Sequence, residues 1–144
     1  MRKKSLALVT ALGLGLGFAV AGPAQAAETI QLTTRTSSTN GYANLGATLT
    51  FTDAGRGIIL SGSVADRCPA DGNGAYATIT VTFVDGGFRS YFPKDTNGCG
   101  ALGSGTDFHY DTDYNKRIAK VGFLLQERDN GSVKQSVSKV VYNS

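Results

Sequence analysis

The stretch from Thr106 to Arg117, TDFHYDTDYNKR, sets Asp107, His109, Asp111, Asp113 and Asn115 at every second position. Carboxylates, an imidazole and an amide are side chains that ligate metals, and a His beside an Asp is half of a general-base machine. As a strand, the stretch would carry Asp107, His109, Asp111 and Asp113 on one face and Phe108, Tyr110 and Tyr114 on the other. As a loop, Asp111-Thr112-Asp113-Tyr114-Asn115 follows the first half of a calcium loop, D-x-D-x-N. That match stops at Lys116, where the sharp turn needs Gly, and at Gly122, where the bidentate Glu belongs. The spacing excludes an EF-hand. We read the stretch as a half-exposed strand running into a turn, with no metal ligand assigned. A weak Ca²⁺ site at Asp111, Asp113 and Asn115 is the alternative. Zinc needs more imidazole or thiolate than one His supplies.

A Ser-His-Asp hydrolase would have to use His109, the one histidine of the chain, with Asp107 or Asp111 to orient it. No G-x-S-x-G elbow is present, and Ser104 in LGSGTD lacks a strand-to-helix setting. Walker and Rossmann phosphate motifs are absent. The chain has no Trp to line a glycosidase cleft. We therefore expect no enzyme, no catalytic residue and no cofactor, and keep a small hydrolase using His109 as an alternative.

The elements that must position these residues begin after residue 26. Arg2, Lys3 and Lys4, the uncharged apolar run from Leu6 to Ala21, and Ala24-Gln25-Ala26 have the order of a secretory signal peptide, 1–26. The run is too short and glycine-rich for a spanning helix. The expected product is a secreted, extracellular domain, 27–144. The leader holds three of the 14 basic residues and none of the 11 acids, so the remainder is formally neutral. No basic cluster follows in sequence, which argues against nucleic acid and membrane-surface partners. In an oxidising compartment Cys68 and Cys99 read as one disulfide, contributing about 3.5–4 kcal/mol through loop closure.

Hydrophobic period then sets the fold class. Ala43, Leu45, Ala47, Leu49 and Phe51 alternate with polar residues, as do Ala77, Ile79, Val81 and Phe83. Ile30 and Leu32 share a face in TIQLTTRT, and GIILSGSVA suits a central strand. Turn chemistry separates these runs at Gly55-Arg56-Gly57, Asp85-Gly86-Gly87 and Asn130-Gly131. Counting outward from Asn130-Gly131 predicts Glu127 opposite Lys134. Pro69 and Pro93 suit turns or edges. The class is all-β: a single antiparallel β-sandwich of about eight strands, with a small barrel as the alternative.

In DRCPADGNGAY, Asp66 and Asp71 fit a tight turn beside Cys68. The longer segment VADRCPADGNGAYATITVTF, through Asp66, Ala70, Asp71, Gly72 and Ala75, resembles small exported proteins of mycelial, high-GC Gram-positive bacteria. The resemblance implies export and a β fold, and no catalytic residue. On these grounds we expect a non-catalytic binding module for a glycan or cell-envelope ligand. Tyr42, Tyr76, Tyr91 and Tyr110 are available to stack on sugars. A binder or inhibitor of an extracellular protein, using a loop in PKDTNGCGALGSG, is the alternative.

Overall fold

The computed structural model describes residues 25–34, 41–67, 74–96 and 105–144. Most of the expected leader, both cysteines, Pro69, Asp71 and Ser104 lie outside the described residues, as does most of the loop expected for protease inhibition.

Among the described residues nine strands form: β1 (Glu28–Thr33), β2 (Tyr42–Thr52), β3 (Gly57–Arg67), β4 (Gly74–Phe83), β5 (Phe88–Tyr91), β6 (Lys94–Asp95), β7 (Thr106–Asp113), β8 (Ile118–Asp129) and β9 (Ser132–Tyr142). One antiparallel sheet has the order β1-β2-β3-β7; the other has β5-β4-β8-β9, with β6 also pairing β4. The sheets stay separate and face each other as a sandwich, so the barrel alternative does not form.

Strict alternation makes this packing possible. Each strand turns every second side chain inward, and two half-apolar sheets bury those faces against one another. Leu45, Leu49, Ile58, Leu60, Ile79, Val81, Phe123 and Leu125 are fully buried. Each such side chain stabilises the fold by about 1.5–3 kcal/mol relative to exposure. As expected, GIILSGSVA is a central strand, β3. Pro93 interrupts the edge between β5 and β6, where its carbonyl still accepts a 2.9 Å bond from the Ala77 N–H.

One register differs from the expectation. Asn130 (φ 47°) and Gly131 (φ 77°) make the two-residue turn between β8 and β9, with Asp129 opposite Ser132. A bulge between Glu127 and Arg128 then shifts the pairing, and Glu127 lies opposite Gln135. Lys134 falls on the extra residue and pairs with Asp129 at 3.4 Å. Glu127 is 3% exposed and accepts a 3.2 Å bond from the Thr34 hydroxyl. A bulge admits one more residue on one strand, which turn counting cannot foresee.

Candidate functional site

The TDFHYDTD run is β7, an edge strand whose exposure alternates along its length. Phe108 and Tyr110 pack against the core. Tyr110 stacks on Tyr91 with ring centroids 4.2 Å apart, and Phe108 lies 5.6 Å from Tyr110. Tyr114, just past the strand, packs edge-on against Phe83 at 5.0 Å and shares a 2.6 Å hydroxyl–hydroxyl bond with Tyr91. This aromatic seam closes one side of the sandwich. Burial, then the bond to Tyr91, pushes the Tyr114 phenol far above its usual range. Burial also raises the Tyr110 phenol. Tyr91 and Tyr110 are both half-buried in this seam. Tyr76 lies beneath the Arg128 guanidinium, 4.7 Å from ring centroid to carbon. Tyr42 is 39% exposed.

The acidic face of β7 looks outward, continuing the outer face of β1, β2 and β3. Register sets the side chains in rows. One row runs Gln31, Gly46, Ser63, Asp107, and the next runs Thr29, Thr48, Ser61, His109. His109 Nδ1 and Ser61 Oγ are 2.7 Å apart. Asp107 and Asp111 lie two residues to either side along the strand, opposite Ser63 and Ile59. Alternate strand residues are roughly 6.5 Å apart, beyond hydrogen-bond reach of the imidazole without bending. Ser61 is 48 residues from His109, and only strand pairing brings them together.

Beside this pair the face is indented. A trough of about 300 Å³ is lined by Thr29, Gln31, Gly46, Thr48, Ser61 and Ser63, with Ala47 and Gly62. Gly46 makes the hollow. A side-chain carbon there would lie 3.4 Å from the Gln31 amide nitrogen, so the place is open but already in van der Waals reach of Gln31. The trough offers hydroxyls and an amide, donors and acceptors together.

Asp111, Asp113 and Asn115 do not make the turn of a calcium loop. Asp111 and Asp113 are extended β7 residues opposite Ile59 and Gly57, and Asn115 follows in the turn. Among the described residues no group of three His, Cys, Asp or Glu is placed to hold a metal ion. Asp66 also departs from its expected turn: it is a buried β3 residue whose backbone N–H donates to Asp95 Oδ2 at 3.0 Å.

The fold and site define an antiparallel sandwich with one polar, indented outer face. No family model, curated protein or solved structure matches the chain.

Proposed function

We propose that the protein is a non-catalytic binding module, exported from the cell, that holds a hydroxyl-rich glycan or cell-envelope ligand across the outer face of β1, β2, β3 and β7. The observation that carries this reading is the Gly46 trough. Its walls are short hydroxyl side chains and one amide, the groups that exchange hydrogen bonds with sugar hydroxyls while leaving room for a ring.

The Ser61–His109 pair has the separation of a nucleophile and its base, and so favours the hydrolase as a second reading. Its surroundings favour binding. The pair stands on an open sheet face, and the amides of β3 around Ser61 pair with β2 on one side and β7 on the other, so the strand itself offers Ser61 no pair of free backbone donors to stabilise an oxyanion. Among the described residues no third group hydrogen-bonds the other side of the imidazole in the manner of a triad. The pair then serves as a fixed donor and acceptor at the trough's rim.

Pull-down on insoluble polysaccharides and peptidoglycan tests the reading. Gly46→Val fills the trough with a strand-favouring side chain on the solvent face and should abolish retention while leaving Tm within a few degrees. Retention unchanged in that variant would rule out the trough. Turnover of ester, peptide or glycoside substrates that His109→Ala abolishes would instead establish the hydrolase.

A further inference from the structure

The basic residues of the 27–144 region are scattered in sequence, yet four of them meet at one end of the sandwich. Arg56 lies in the β2–β3 turn, Arg89 in β5, and Lys116 and Arg117 in the β7–β8 turn. Backbone bonds tie these turns together. Tyr114 N–H donates to the Arg56 carbonyl at 2.9 Å, and Val84 N–H donates to the Arg117 carbonyl at 3.0 Å. The Asn143 amide adds a 3.1 Å bond to the Gly55 carbonyl and a 2.9 Å bond to the Ile118 carbonyl.

Two depressions open on this platform. Arg56, Asn115, Arg117 and Ala54 line one of about 610 Å³. Arg89, Lys116, Phe88 and Asn115, with Phe83, Gly87 and Tyr114, line one of about 280 Å³. Asn115 belongs to both, so they form one bipartite cleft. Carboxylates do not neutralise it fully. Arg56 reaches Asp53 at 3.6 Å and Lys116 reaches Asp85 at 2.6 Å. Arg89 and Arg117 form no ion pair among the described residues. Phe88 is 68% exposed at the cleft. The backbone presenting Arg56 is strained: Asp53 (φ 47°) and Ala54 (φ 52°) are consecutive non-glycine residues in the left-handed region, before Gly55 at 83°. Such residues cluster at ligand sites, where strain holds a side chain in place.

We infer that this cleft binds the acidic groups of a phosphate- or carboxylate-bearing saccharide polymer. Arg117 and Arg56 take one acid group bidentately, with the Asn115 amide as a further donor. Arg89 and Lys116 take a neighbouring acid group, and the ring between them lies against Phe88. Single-stranded nucleic acid fits less well. It is held by a longer basic groove and successive aromatic platforms, and here one aromatic side chain is exposed among four cations. The cleft is distinct from the Gly46 trough, so the inference stands independently of the function proposed for that face.

The test is affinity of the purified full-length protein carrying Gly46→Val, which fills the trough, for dextran phosphate, polygalacturonate, neutral dextran and single-stranded DNA at 50 and 200 mM salt. One or both acidic glycans should bind, dextran should not, and binding should weaken at the higher salt. The stronger of the two acidic arms identifies phosphate or carboxylate as the recognised group. Arg117→Gln should weaken binding about tenfold or more, as loss of a charged hydrogen bond does, while Arg117→Lys should lose less. Equal affinity for dextran, DNA binding as tight as that of the acidic glycans, or indifference to Arg56→Gln/Arg117→Gln in protein of unchanged Tm would each overturn the inference.

Discussion

The two ends of the sandwich handle charge in opposite ways. At the end where β3, β8 and β6 finish, Asp66, Asp95 and Glu127 are 6%, 2% and 3% exposed. Asp95 accepts from the backbone of β3, and Glu127 accepts from Thr34, whose hydroxyl also takes the Ala43 N–H at 2.9 Å. The carboxylates of Asp95 and Glu127 thereby tie one sheet to the chain of the other. At the other end, Arg56, Lys116 and Arg117 stand exposed on turns that the backbone alone already ties together. A buried charge must be bonded to stay buried, so it works as a fastener. An exposed charge contributes little to stability and keeps its bonding capacity for a ligand.

The largest effect that could break this contrast is expected at Asp95. Asp95→Ala leaves the Asp66 N–H without its acceptor in a buried place, which costs about 1–3 kcal/mol. Urea denaturation should show a clear fall in midpoint, whereas Arg117→Ala should show almost none. Equal effects of the two would erase the distinction between the ends.

A middle-sized effect belongs to the aromatic seam beside the cationic end. The Tyr114 phenol is raised in the folded state, first by burial and then by its bond to Tyr91. Its contribution is therefore complete below the unfolded value of 10.0 and is lost as pH rises above that value, because the unfolded chain ionises first. Tyr114→Phe should cost about 1 kcal/mol at neutral pH through the lost hydrogen bond. The gap between variant and parent should narrow above pH 10. A gap that widens there would contradict the burial of this hydroxyl.

The smallest effect is expected at Asp85, whose carboxyl the Lys116 ammonium and the Gly87 N–H hold below the usual carboxylate range. A lowered value means that any stabilisation is present above the unfolded value of 3.8 and fades as pH falls through the folded one. Both side chains are more than half exposed, so Lys116→Ala should leave Tm at pH 7 nearly unchanged. A large drop would mean that the cationic end also holds the fold together, and the contrast would need to be redrawn.

Much of the architecture was legible in the residues themselves. Alternation at 43–51 and 77–83 has only one solution once one face is dry, because the side-chain period of a strand is two. The same rule assigned Phe108 and Tyr110 inward and Asp107, His109 and Asp111 outward. Asn130-Gly131 marked a hairpin because its turn needs positive φ twice, and both residues have it. The bulge beyond that turn was not legible, since one extra residue changes no local pattern. It replaced Lys134 by Gln135 opposite Glu127, while the burial of Glu127 follows from the alternation of β8 itself, on the face of Phe123 and Leu125.

What only the tertiary structure decided are the meetings between strands distant in sequence. Ser61 meets His109 because β3 pairs with β7 in one register, and a shift of one residue would turn one of them inward. Gly46 becomes the floor of a trough only when Gln31 and Ser63 flank it from both sides. Arg56, Arg89 and Arg117 read as isolated charges along the chain. They converge because three antiparallel connections must return at the same end of a two-sheet sandwich, and composition holds no record of which ends coincide.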